Sequence, residues 1–179
     1  MAIAVANRYA RALADVLGPQ GDYRRILSEL EDFAGIYRQS AELRNVFESP
    51  AVPLADKTKV VAAILERMGT AAVTVNFLRV LLANYRMNLI DQVGQAFRKI
   101  AYERLGVTEV RVESATTLSD AEQKALRGRF AEMTGRQVEL EFHLNPELLG
   151  GVLAQIQSTV YDGSVRGNLQ RIRQQLMNQ

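Results

Sequence analysis

Carboxylates and a histidine are the side chains in this sequence whose types and spacing could do chemistry. Glu139 and Glu141 alternate with apolar residues, Glu109 and Glu113 do the same, and His143 continues the first series. General acid–base catalysis needs carboxylates with perturbed pKa values in a cleft. Because these residues alternate with apolar positions, they are expected to lie on the solvated faces of strands. The pattern favours a water-facing sheet surface over a catalytic pair.

Nucleotide and metal sites find little support in the sequence. It contains no G-x-x-x-x-G-K-[ST] loop and no strand followed by G-x-G-x-x-G. The glycines between Gly163 and Gly167 could form an anion nest at a helix N-terminus, but turn geometry explains them as well. The chain has no cysteine and one histidine, which excludes disulfides, zinc–thiolate sites and multi-histidine sites. We expect no catalytic residue, no cofactor and no metal in this chain.

Composition indicates a globular protein with one ordinary domain or two small ones. The chain has 179 residues, a formal net charge of +2 and 47% hydrophobic residues. Its basic residues are spread along the chain, which favours a solvated surface over a nucleic-acid site. No apolar run approaches the roughly 20 residues needed to span a bilayer. The first 17 residues are interrupted by charges, unlike a secretory signal peptide.

The first half of the sequence predicts helices. Apolar residues recur at helical spacing in six segments with short connections, which predicts a six-helix bundle over residues 1–105. The segments are 3–17, 21–39, 42–47, 53–68, 71–85 and 89–105. The segments 3–17 and 71–85 carry more apolar surface than one core contact requires. A groove between them could accept an amphipathic helix of another chain, or the bundle could be closed with nothing docked.

The second half predicts a smaller α+β domain over residues 106–179. Alternation predicts strands at 107–115, 138–144 and 152–157, and Ser119 with Glu122 predicts a capping box that begins a helix over 119–134. Asp162-Gly163 is a hairpin-type turn signal. The last segment has the helical apolar stripe Val165, Leu169, Ile172 and Leu176. The order is strand–helix–strand–strand–helix, so the whole chain is α+β and mainly α.

A family resemblance rests on residues at both ends of the chain. The C-terminal residues resemble the signature of the delta subunit of F-type ATP synthases, the family of the mitochondrial oligomycin-sensitivity-conferring protein. The start of the chain, with Ala6, Tyr9, Ala10, Ala12 and Leu13, is similar to that family's N-terminal helix. The signature residues are Val138, Leu140, Leu144, Asn145, Leu148, Gly150, Gly151, Val152, Asp162, Gly163, Ser164, Val165 and Arg166, and the stripe continues it with Leu169 and Ile172.

This resemblance implies a non-catalytic stator subunit that links the catalytic head to the peripheral stalk. The helical domain would hold the N-terminal helix of an alpha subunit, and the α+β domain would meet the C-terminal end of the b subunit. The chain would be a single copy in a hetero-oligomer, peripheral at the cytoplasmic face of the bacterial membrane, without membrane insertion or nucleic-acid binding. The expected groove residues are Tyr9, Ala10, Ala12, Leu13, Phe77, Leu78 and Leu81.

Two other readings of the sequence stay open. A general helical adaptor or regulatory protein would share the bundle and the groove, but nothing in that role requires the C-terminal signature. An RNA- or nucleotide-handling protein could use the small α+β domain, and it would bind nucleic acid with a steep salt dependence. The stator reading makes one specific expectation about Leu81: its substitution by aspartate should abolish head binding and leave the fold helical.

Overall fold

The computed structural model describes residues 2–156, 158–165 and 167, which fall into two compact units divided between Leu105 and Gly106. The predicted α+β, mainly helical class is confirmed, since a small four-stranded sheet accompanies the helices. Among these residues, no helix is both long enough and apolar enough to cross a membrane.

Six α-helices make up the described part of the first unit. Their bounds are α1 Ala2–Leu17, α2 Tyr23–Gln39, α3 Ala41–Glu48, α4 Leu54–Met68, α5 Ala72–Ala83 and α6 Ile90–Leu105, with a 3₁₀ turn at Met87–Leu89 before α6. Helix α6 lies against both α1 and α2, and Phe97 and Val93 on it are fully buried. The buried small residues Ala6, Ala10 and Ala14 on α1 allow the close contact with α6.

Tyr23 joins the end of α1 to this core. Its ring stacks on Phe97 with centroids 6.0 Å apart, and its hydroxyl donates to the carbonyls of Ala14 at 3.1 Å and Gly18 at 2.8 Å. The last carbonyls of a helix have no intrahelical partner. The tyrosine therefore adds a donor from α2 at the end of α1 while filling the core with its ring.

The described part of the second unit is a sheet with one helix packed on it. Its elements are β1 Val107–Ser114, α7 Asp120–Thr134, β2 Gln137–Leu144, β3 Val152–Ile156 and β4 Thr159–Asp162, with a 3₁₀ turn at Pro146–Leu148. The strand order is β2-β1-β3-β4; β1 and β2 are parallel and the other pairs antiparallel. The predicted capping box at Ser119 and Glu122 is confirmed. The core residues are Val110, Val112, Phe130, Val138, Leu140 and Ala154.

The strand prediction was wrong in one respect, because the sheet has a fourth described strand. Ile156 pairs with Thr159, so the hairpin turn lies between β3 and β4. Asp162-Gly163 does not form that turn: Asp162 is the last residue of β4 and Gly163 follows it. Every residue of β4 is exposed, which removes the alternation by which a half-buried strand is recognised. The predicted final helix, with Leu169, Ile172 and Leu176, lies outside the described residues.

Two buried charges cap helices other than their own. The Lys57 side chain on α4 donates from Nζ to the carbonyls of Phe47 at 2.9 Å and Ser49 at 2.7 Å, at the end of α3. A positive charge is favourable there because the carbonyls and the helix dipole are both negative. Lys57 is 1% exposed, and its ammonium lies 5.6 Å from the centroid of the Tyr85 ring.

Glu29 on α2 has the complementary role at the start of α5. Its carboxylate accepts from the backbone N–H of Ala71 at 2.9 Å, from the hydroxyl of Thr74, and from Arg25 Nε at 2.9 Å. Burial raises the pKa of Glu29, but the hydrogen bonds from Thr74, Arg25 and Ala71 outweigh it, so that the pKa lies below its ordinary value of 4.5.

We expect Lys57→Met to lower the free energy of unfolding by about 1–3 kcal/mol, because it leaves the buried carbonyls of Phe47 and Ser49 without a donor. Chemical denaturation measures the loss. The control is Lys59→Met on the same helix, whose ammonium makes a surface ion pair with Asp56, and it should change stability by no more than about 0.5 kcal/mol. Equal losses in the two variants would contradict the capping role.

The lowered pKa of Glu29 predicts a pH-dependent difference between the wild type and Glu29→Gln. A carboxyl whose pKa is lower in the folded state stabilises the fold above the unfolded pKa and loses this effect as the pH falls through the folded pKa. The difference in unfolding free energy should therefore be full at neutral pH and shrink below about pH 4.5. Urea titrations at a series of pH values measure it, and a difference that stays constant into the acid range would contradict the assignment.

Candidate functional site

The charged sheet face is solvated, as the alternation predicts. The parallel register sets Glu109 beside Glu139, Arg111 beside Glu141 and Glu113 beside His143. The ion pairs there are long, with Arg111 Nε 3.6 Å from a Glu141 oxygen, and both side chains are substantially exposed. Exposed pairs of this kind contribute little to stability. No group of three or more potential ligands in the described part of the chain could hold a metal ion.

Five of the seven expected groove residues are buried in the helical unit. Ala10, Leu13, Leu78 and Leu81 are at most 3% exposed, and Phe77 is 9% exposed. The first four form the inner contacts of α1 and α5 and do not line a surface, whereas Phe77 lies at the edge of the core beside Tyr9. Leu81→Asp would bury a carboxylate among apolar side chains, so the expectation that this variant keeps its fold is wrong.

An apolar flank remains on the outer side of α1. Val5, Tyr9, Ala12 and Val16 follow one another at spacings of four, three and four residues, so they share one side of the helix. Val5 and Tyr9 are half-buried, Ala12 is exposed and Val16 is 73% exposed. This flank lies next to the buried apolar stripe of α1. In the sequence pattern the flank and the stripe together form one wide apolar arc.

The neighbouring side of α5 continues the flank. Val73, Phe77 and Val80 share one side at spacings of four and three. Phe77 is 9% exposed at the edge of the core, Val73 is half-buried and Val80 is 48% exposed. The rings of Tyr9 and Phe77 meet edge to face with centroids 6.5 Å apart, which joins the two helices. We call this the α1/α5 surface: Val5, Tyr9, Ala12, Val16, Val73, Phe77 and Val80.

The C-terminal signature is mainly a backbone structure. Val138, Leu140 and Leu148 are buried, Leu144 is exposed, and Asn145 Nδ2 donates to Glu113 at 2.7 Å. The Gly150-Gly151 corner passes so close to residues 163–165 that Gly163 N donates to Val152 O and Val165 N to Gly150 O, each at 3.0 Å. Arg166, Leu169 and Ile172 lie outside the described residues.

The glycines of this corner leave no room for side chains. A Cβ at Gly151, whose φ is +77°, would lie 2.5 Å from the carbonyl oxygen of Gly163, and one at Gly167 would lie 2.1 Å from the Asp162 carboxylate. That carboxylate accepts from the amide of Ser164 at 2.9 Å, and the Ser164 hydroxyl accepts from Gly167 N at 3.0 Å. We call this contact of residues 150–152 with residues 162–165 and 167 the glycine clasp.

These features define a class of protein that works through contact surfaces. The helical unit exposes the apolar α1/α5 surface. In the second unit, the side chains of the glycine clasp hold the backbone in position. The carboxylates and the histidine lie on a solvated sheet face.

Comparison with known proteins identifies the family. A family model described as the ATP synthase delta (OSCP) subunit matches residues 5–176. The ATP synthase subunit delta of Acidobacterium capsulatum is 38% identical over 174 residues, 97% of each chain, and that of Desulfitobacterium hafniense is 37% identical over 97% of this chain and 96% of its own. The chain belongs to the ATP synthase delta (OSCP) family, whose members are non-catalytic subunits linking the head of the synthase to its peripheral stalk.

A solved structure has the same fold. A chain of the cryo-EM structure of the Toxoplasma gondii mitochondrial ATP synthase hexamer superimposes with a TM-score of 0.74 and 23% identity, covering 96% of this chain and 97% of that one. The family model and the two bacterial relatives confirm the resemblance stated from the signature residues, and the solved structure confirms the fold.

Substitution by alanine should have opposite effects at two glycines of the second unit, one inside the glycine clasp and one outside it. Gly151→Ala should destabilise the sheet by about 1 kcal/mol or more, because it adds a Cβ against a backbone oxygen at positive φ. Gly128→Ala is the control, since a Cβ inside α7 meets no atom within 4 Å, and it should stabilise the helix by up to about 1 kcal/mol. Amide hydrogen exchange on β1 and β3 measures both effects. Unchanged exchange in Gly151→Ala would contradict the clasp.

Proposed function

We propose that this chain ties the head of a bacterial ATP synthase to its peripheral stalk through one interface on each unit. The helical unit, as a six-helix bundle, would bind the N-terminal helix of an alpha subunit. The second unit would bind the C-terminal end of the b subunit. The chain would be present once per complex, at the cytoplasmic face of the membrane.

The α1/α5 surface is the observation that carries the head contact. Its apolar residues follow helical spacing on two adjacent helices, so a third amphipathic helix could lay its own stripe between them. Val16 and Val80 expose large apolar side chains whose burial would favour association by the hydrophobic effect. Arg8, Arg11 and Arg79 are exposed on the same two helices and could form the polar rim of the interface.

The stalk contact rests on the family membership and on the glycine clasp. The clasp holds Val165 and Gly167, which precede Leu169 and Ile172 in the sequence. A stator must resist torque for many turnovers, which requires slow dissociation at both ends. A connector with one partner on each unit meets this requirement without any reactive side chain.

The experiment that tests the connector uses the purified full chain with two partners of the same synthase: a synthetic alpha-subunit N-terminal peptide and the soluble part of the b subunit. We expect each to bind alone and both to bind together, as a ternary complex in size-exclusion chromatography. Competition between the two partners, or failure of either to bind, would overturn the proposal.

Val80→Asp and Val16→Asp should each weaken binding of the alpha-subunit peptide about tenfold or more, because each introduces a charge into the apolar α1/α5 surface. Isothermal titration calorimetry measures the affinity. The matched control is Leu54→Asp at the start of α4, a residue 40% exposed and outside this surface. Circular dichroism should show the same helix content in all three variants. Wild-type affinity in both valine variants would contradict this assignment of the surface.

A further inference from the structure

The start of α5 is held from another helix. Its N-cap residue, Ala71, has no side chain that could cap the first turn. The N–H of Ala71 and the hydroxyl of Thr74 both donate to Glu29 on α2. Arg25, one turn before Glu29, bonds to its carboxylate and donates to the carbonyl of Gly69 at 3.3 Å. The end of α4 and the start of α5 are thus tied to one turn of α2.

These hydrogen bonds fix residues on both sides of Val73. Ala71 and Thr74 flank it in the first turn of α5, and Phe77 follows Thr74 by three residues. Thr74 is fully buried, and its hydroxyl donates to the carboxylate of Glu29. Because a helix is stiff over two turns, fixing Ala71 and Thr74 fixes the rotation and the axial position of Val73, Phe77 and Val80.

Burying the charge of Glu29 costs free energy, so its presence at this position requires a physical reason. A carboxylate taken out of water loses its hydration, and only well-aligned donors compensate for that loss. Apolar side chains between α2 and α5 could fill the same space, but they would permit small rotations and slides of one helix on the other. Hydrogen bonds to an N–H and a hydroxyl are directional and define a single register.

We propose that Glu29 is a positioning residue for partner binding: from the buried side of α5 it sets the register of Val73, Phe77 and Val80, and with it the contact of Phe77 with Tyr9 that joins the two helices of the α1/α5 surface. This inference rests on the proposed function. Glu29 itself would not touch the partner helix.

The first test compares Glu29→Leu with the wild type in the full chain, using the synthetic alpha-subunit N-terminal peptide as the probe. Glu29→Leu should weaken binding about tenfold or more. Lys57→Met is the stability control, because it removes a buried cap from α3 and leaves α5 capped. A loss of affinity in Glu29→Leu no larger than that in Lys57→Met, at a similar loss of thermal stability, would overturn the positioning role.

The second test separates positioning from helix stabilisation. Ala71→Asp added to Glu29→Leu supplies a local N-cap for α5 without a link to α2. We expect the double variant to regain thermal stability while the peptide still binds weakly. Recovery of affinity together with stability would mean that Glu29 only caps the helix, which would overturn the proposal.

The outcomes remain distinguishable if a variant or the probe fails. If Glu29→Leu does not fold, Glu29→Gln carries the same comparisons, since it keeps the side-chain length and one acceptor oxygen. If the wild type does not bind the peptide, the proposed function falls and the positioning role falls with it. If the wild type binds and the glutamate variants bind equally well, only the positioning role is overturned.

Discussion

The helical unit depends on two buried charges that cap helices other than their own. Glu29 holds the N-terminal end of α5 and Lys57 holds the C-terminal end of α3, so each sign meets the helix end that it complements. Each cap comes from a different helix: Glu29 and Ala71 are 42 residues apart, and Lys57 and Phe47 are 10 residues apart. The ends of the helices can therefore form correctly only when the tertiary contacts form, which couples helix formation to packing.

This coupling of helix formation to packing fits helices that contribute both to the core and to an exposed apolar surface. Helices α1 and α5 contribute Ala10, Leu13, Leu78 and Leu81 to the core, and the flank beside those residues forms the α1/α5 surface. The shape of a surface made from two helices depends on the register between those helices, so any change in the register changes the surface. Directional bonds at the ends of α5 and edge-to-face contact between Tyr9 and Phe77 both act on that register.

The second unit is held by close backbone contacts and short-range hydrogen bonds instead of buried charges. Its signature includes Gly151 because two backbone segments approach there more closely than a Cβ allows, and the Asp162 carboxylate leaves no room for a Cβ at Gly167. Asp162 and Ser164 then hold the clasp with short-range hydrogen bonds. The residues that identify the family therefore determine the path of the backbone. This fits a connector, in which the direction of a segment matters more than reactive side chains.

Much of the fold could be predicted from the sequence, because helical periodicity, the capping box at Ser119 and the period change after Gly106 are local properties of the chain. The signature residues were sufficient to identify the family. The fourth strand, Thr159–Asp162, could not be predicted, since its residues are all exposed and only pairing with β3 makes it a strand. Periodicity likewise showed that α1 and α5 have wide apolar arcs but not which side faces the core. Only the packing against α6 and α2 decided that Leu81 is internal while Val16 and Val80 are exposed, because burial depends on neighbours distant in the chain.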